Sequence, residues 1–114
     1  MSSNKPQKRL APILALVGAL SIPAFATDTL DETRKEALRH LLLHDCGSCH
    51  GMTLKGGLGP PLTVAALSTK PEPYVYYTIR NGHPGTPMPP WRDILTDSEI
   101  RYLVQLLLSG EVGA

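Results

Sequence analysis

Excess charge of either sign is missing from this 114-residue sequence, in which eleven Lys and Arg stand against ten Asp and Glu for a formal charge of +1. Binding to nucleic acid by counterion release needs a basic face, so this balance excludes DNA and RNA as expected partners. Aromatic residues are scarce too, with one Phe, one Trp and four Tyr. No run of alternating β-branched residues occurs and no segment repeats, which argues against a sheet or a solenoid and for an all-α chain. Nor is there a Ser-His-Asp set, a carboxylate pair or a phosphate-cradling loop, so an enzyme is not expected. At roughly 100–200 residues per domain the length allows a single domain. Its 42% hydrophobic and 18% charged residues are those of an ordinary globular chain.

Long apolar runs are equally absent. The longest, residues 10–22, has thirteen residues and is interrupted by Pro12 and Gly18, short of the ~20 that a helix needs to cross the hydrocarbon core. It follows Lys5, Lys8 and Arg9 and precedes Ala24-Phe25-Ala26. A basic start, a short apolar stretch and small residues at the cleavage positions are the pattern of a secretory signal. Cleavage is expected after Ala26, which divides the chain into a signal peptide, 1–26, and a mature domain, 27–114, in the periplasm with no stable membrane anchor. No cysteine begins the mature part, so lipidation there is not expected. Those 88 residues carry eight basic and ten acidic side chains and no Phe. So small a domain buries only about 60% of its unfolded surface and often needs a metal, a disulfide or a cofactor.

Two amphipathic helices are expected. Thr29-Leu30-Asp31-Glu32 fits a capping box, and a helix from there to about His44 would place Ala37, Leu38, Leu41 and Leu42 on one side. Thr96-Asp97-Ser98-Glu99 fits a second box, opening a helix with Ile100, Leu103, Val104, Leu107 and Leu108 at the same period until Gly110. Between them, from Gly47 to Pro90, lie seven glycines and eight prolines. Only 73–81, with Pro73 in the first turn and Gly82 as the stop, is long enough for a good helix; a shorter turn is expected over 63–67.

The chemical signal is Cys46-Gly47-Ser48-Cys49-His50, the C-x-x-C-H pattern of covalent c-type haem attachment. Two sulfurs three residues apart can each form a thioether to a vinyl-derived carbon, and the next residue aims its imidazole at the iron. The pattern predicts one covalently bound haem c per chain, with His50 as proximal ligand. A thiol-redox pair belongs in a βαβ context, and a zinc site needs a second pair of ligands that His40, His44 and His83 do not form. The remaining alternative is a disulfide, the ordinary fate of a bare pair in an oxidising compartment.

For the sixth ligand the mature part offers two methionines. Met52 is two residues from His50 and cannot reach the opposite face, which leaves Met88, in Gly85-Thr86-Pro87-Met88-Pro89-Pro90, with His83 as runner-up. His40 and His44 are read as surface residues. A thioether ligand favours the reduced iron. Pro60 could offer its carbonyl to the second nitrogen of His50, or serve only as a stiff turn. Trp91 could donate toward a propionate or merely pack, Arg80 and Arg92 could screen propionates or simply be solvated, and Lys55-Gly56-Gly57 reads as a flexible turn.

Taken together, the leading helix running into C-x-x-C-H, the proline after it, the Met loop and the closing helix resemble a class I cytochrome c. More narrowly, residues 46–51, Gly57-Leu58-Gly59-Pro60-Pro61-Leu62 and Gly85-Thr86-Pro87-Met88-Pro89-Pro90-Trp91 resemble the cytochrome c55X family. The resemblance implies terminal helices that cross, loops that wrap one haem, and cytochrome c maturation machinery to attach it. It also implies a periplasmic single-electron carrier in denitrification, with cytochrome cd1 nitrite reductase as redox partner. The alternatives are an accessory redox role in haem d1 biosynthesis or assembly, or a haem sensor or peroxidase.

Overall fold

A computed structural model of the chain describes residues 9–14, 18–19, 21 and 29–113. The cleavage point expected after Ala26 and most of the segment before it lie outside the described residues. Among the described residues there are helices, turns and loops but no strand, as the sequence pattern predicts.

Helix α1, Glu32–Leu41, begins two residues later than the Thr29 box implies. Asp31 caps it instead, accepting the Arg34 amide at 2.7 Å. The Thr29 box does not close, because the Glu32 carboxylate it needs pairs with Lys35 instead; the Arg34 side chain goes to Glu99 on another helix. Nor does the helix end near His44. It widens into a π-turn, Leu42–Cys46, in which the Gly47 amide reaches the Leu42 carbonyl five residues back. It then resumes as α2, Gly47–His50, and stops at Gly51, which has φ +89°. No proline or positive φ intervenes, so C-x-x-C-H forms the last turns of a continuous helical segment. The buried stripe is also narrower than the periodicity suggests: Leu38 and Leu42 are fully buried, Leu41 partly, and Ala37 is exposed.

Two further helices follow. Thr63 caps α3, Val64–Leu67, through its hydroxyl. Helix α4, Glu72–Asn81, starts after Pro71 with Pro73 in its first turn and ends at Gly82. Last comes α5, Asp97–Ser109, opened by the expected Thr96/Glu99 capping box and ended by Gly110 in the left-handed conformation. A short 3-10 turn, Glu111–Gly113, completes the described chain.

Helix α5 is the centre of the fold and packs against α1, α3 and α4. Its Ile100, Leu103 and Val104 join Leu38 and Leu42 in one aliphatic core, with Leu67 from α3, Val75 from α4, and Leu54 and Leu95 from the loops. One ion pair reinforces the α1–α5 junction. The Glu99 carboxylate takes the Arg34 guanidinium on one oxygen and the Thr96 amide, at 2.8 Å, on the other. Glu99 is nearly buried, and the Arg34 hydrogen bond holds its carboxyl below the ordinary range.

Candidate haem site

The last turn of α2, the loop that follows it and the loop after α4 enclose a cavity of about 740 Å³, within the range typical of cofactor sites. Its walls are largely aliphatic, including Leu42, Leu103 and Leu107 from the core-forming helices. All four residues predicted to hold the cofactor, Cys46, Cys49, His50 and Met88, line it.

Each arrives by a different local device. Leu42 faces the core, and the π-turn between it and Cys46 sets the register in which Cys46, Cys49 and His50 meet the cavity. The His50 ring is buried, and its Nδ1 lies 2.7 Å from the Pro60 carbonyl. With the carbonyl as acceptor, Nδ1 carries the proton and Nε2 is left as the ring's free lone pair. Of the two roles considered for Pro60, the geometry is that of the acceptor.

Main-chain bonds hold the intervening loop to the motif. The Gly59 amide donates to the Cys49 carbonyl at 2.8 Å, and the Gly56 amide to the His50 carbonyl at 2.8 Å. Residues 55–57 are thus an anchored turn rather than a free one. Gly59 lies flat against the imidazole, and a Cβ there would come within 2.8 Å of the His50 ring. Leu54, buried with φ +57°, closes the base of this loop by accepting the Leu62 amide at 2.9 Å.

The Met loop is shaped in the same way. The His83 amide donates to the Met88 carbonyl at 3.3 Å, while the amide and hydroxyl of Thr86 both donate to the His83 carbonyl, at 3.1 and 2.6 Å. Gly82, with φ +73°, passes so close beneath that a Cβ would meet the Met88 carbonyl at 2.7 Å. These bonds occupy backbone and hydroxyl groups and leave the thioether unengaged. Met88 is half-buried, whereas His83 lines the same cavity but is exposed.

Trp91 also lines the cavity, with its amide bonded to the Ile79 carbonyl at 3.1 Å. Arg80 and Arg92 do not. Arg80 pairs with Asp97 at 3.0 Å and Arg92 donates to the Asn81 side chain at 3.0 Å, which ties α4 to the start of α5. His40 and His44 are exposed on the helix surface, as expected. Sequence reasoning did not find Lys70, Tyr74 or Thr78 in the cavity wall, because nothing in their local pattern marks a face turned toward a cofactor.

The chemistry of the donors fits a thioether-linked macrocycle better than the alternatives. Burial first, and then the neighbouring Asp45, push the Cys46 thiol up to about 11. A redox-active C-x-x-C shifts the opposite way, toward the thiolate. Among the described residues no three His, Cys, Asp or Glu side chains gather to hold a bare ion, whereas structural zinc needs four ligands. One apolar cavity receives two sulfurs, an imidazole with a single free nitrogen, and a thioether on a proline-bound loop.

Comparison with known proteins points the same way. Residues 33–107 match the family model described as cytochrome C oxidase, cbb3-type, subunit III. Among the described residues no helix is long and apolar enough to cross a membrane. The chain is 48% identical over 100 residues to a cytochrome c55X of Pseudomonas aeruginosa, an alignment covering 88% of this chain and 84% of the relative. A solved c-type cytochrome NirC superposes with a TM-score of 0.72 at 49% identity, over 75% of this chain and all of that one. Part of a larger protein, the dihydro-heme d1 dehydrogenase NirN in complex with DHE, is also similar. There the TM-score is 0.57 at 32% identity, over 60% of this chain and 15% of that one.

Proposed function

The chain belongs to the c-type cytochromes, within the cytochrome c55X family, and from that premise we propose that residues 27–114 form a periplasmic monohaem carrier of single electrons. Cys46 and Cys49 would hold one haem c through thioethers, and His50 and Met88 would donate to its iron. When bound, the haem supplies an iron that gains and loses one electron. With both donors supplied by the chain, no open site would remain on the iron for a substrate, which supports a carrier rather than an enzyme.

The protein's part is to orient and to exclude water. Pro60 holds the His50 ring in one tautomer and one plane, so that Nε2 is presented with little freedom left to lose. Hydrogen bonds from His83 and Thr86 preset the loop that carries Met88, limiting the entropy lost when its thioether is engaged. Leu42 of the π-turn and Leu103 and Leu107 of α5 line the interior side and keep it apolar, which disfavours charge and therefore bears on the potential.

The observation that carries this reading is the meeting of Cys46, Cys49, His50 and Met88 in one cavity. It is tested on protein matured with the cytochrome c assembly machinery. The expected mass is that of residues 27–114 plus one haem, with a reduced spectrum indifferent to carbon monoxide. Met88→Ala should open the iron to carbon monoxide and lower the potential. Colourless protein, or a Met88→Ala variant with unchanged spectrum and potential, would refute the assignment.

For the partner, the similarity to a protein named NirC supports electron delivery in the nitrite reductase system, with cytochrome cd1 nitrite reductase as acceptor. The partial match to NirN, whose name places it in haem d1 chemistry, favours a second reading, a redox role in forming haem d1. Deletion of this chain distinguishes them: normal haem d1 content with a starved reductase supports delivery, and missing haem d1 supports assembly.

A further inference from the structure

Where α1 gives way to the π-turn, His40 and His44 stand on one exposed face with ring centroids 4.0 Å apart and planes tilted by 31°. Residues four apart are neighbours on any α-helix. Here the two imidazoles lie nearly one over the other. Neither ring makes a hydrogen bond or ion pair, so their nitrogens are engaged by nothing else in the described chain. The two imidazoles stack on an exposed face, gain little from burial, and keep ring nitrogens open to solvent. Rotating the exposed rings out of this stack would aim one nitrogen of each at a shared ion, and the helix already holds the two residues on one face, which lowers the entropic cost of chelation.

We propose that His40 and His44 form a surface site for a divalent transition-metal ion, separate from the haem cavity, whose walls include neither residue. Imidazole suits copper(II), nickel(II) and zinc(II), and a site imposing no closed geometry follows the general affinity order, with copper(II) bound most tightly. No third protein ligand is gathered around the pair among the described residues. Water therefore completes the coordination, and the site is an exchangeable one that could also accept a donor from another molecule. Glu36, four residues before His40 and likewise exposed, adds a negative charge on the same helix.

The test uses the mature, haem-loaded protein without an affinity tag, held oxidised so that copper(II) has no electron to accept, and dialysed to equilibrium against copper(II) chloride at fixed pH. One tight equivalent is expected. His40→Ala and His44→Ala should each weaken it by about tenfold or more, because either one removes the chelate, while the haem spectrum stays unchanged. A smaller effect from either variant, or no uptake by the parent protein, overturns the proposal. If a variant fails to mature, chemical modification of the parent decides. Zinc(II) should protect His40 and His44 from diethyl pyrocarbonate, and equal modification with and without zinc overturns the site. None of these results depends on which partner receives the electron.

Discussion

Helices α1 and α5 meet through side chains, with Leu38, Leu42, Ile100, Leu103 and Val104 all but sealed from solvent. The loops that complete the cavity are held instead by their main chain: Gly56 to His50, Gly59 to Cys49, Leu62 to Leu54 and His83 to Met88. The contrast teaches that this small domain divides its labour. Aliphatic burial on the helices supplies cohesion, which scales with area and tolerates modest change in shape. Hydrogen-bonded loops supply position, which tolerates almost none.

This division can be broken most forcefully at the core. Leu38→Ala removes a completely buried side chain from the α1–α5 contact and should cost about 2–5 kcal/mol of unfolding free energy, read from the denaturant midpoint. The visible spectrum of the folded haem protein should stay close to that of the parent. A spectrum altered as much as the stability would mean that helices and loops are not separable in this way.

Gly59→Ala probes the other half. Its Cβ would stand 2.8 Å from the His50 ring, so the imidazole must shift or the loop must move, at about 1–3 kcal/mol. The larger sign should be spectroscopic, as a changed axial-ligand signature and a displaced potential. Unchanged ligation would show that the loop yields more easily than its hydrogen bonds imply.

The gentlest probe is the ion pair that joins the two helices. Arg34 holds the Glu99 carboxyl below its ordinary 4.5, so the folded state favours the carboxylate. The resulting stability is present in full above the ordinary carboxylate range and is lost as pH falls through the lowered folded value. Glu99→Gln should cost about 1 kcal/mol at neutral pH and flatten that acid limb, as followed by unfolding at a series of pH values. An unaltered pH profile would remove Glu99 from the account.

Much of this was legible in the residues because local rules carried it. The Thr96 capping box, the Gly82 and Gly110 stops, the leucine stripe of α5 and the short helix after Thr63 are local signals, and the structure has them where the pattern puts them. So it is with C-x-x-C-H, whose spacing carries its own chemistry. Other features depend on partners distant in the chain. Arg34 on α1 reaches Glu99 on α5, sixty-five residues away. Nothing within residues 42–46 announces a turn closed five residues back. Leu54 takes a left-handed backbone, which a leucine rarely does, in a loop that needs its side chain inside.

From the residues alone came the all-helical frame, the paired sulfurs with their histidine, and a methionine among prolines, since each rests on composition, short spacing or a periodicity of three to four. Tertiary structure alone decided that Pro60 would accept from His50, that Gly59 would press against the ring, that Met88 and Cys46 would share one cavity, and that Arg80 and Arg92 would turn away from it. Those outcomes depend on the packing of α5 against three other helices, and contacts between segments tens of residues apart leave no trace in any short stretch of sequence.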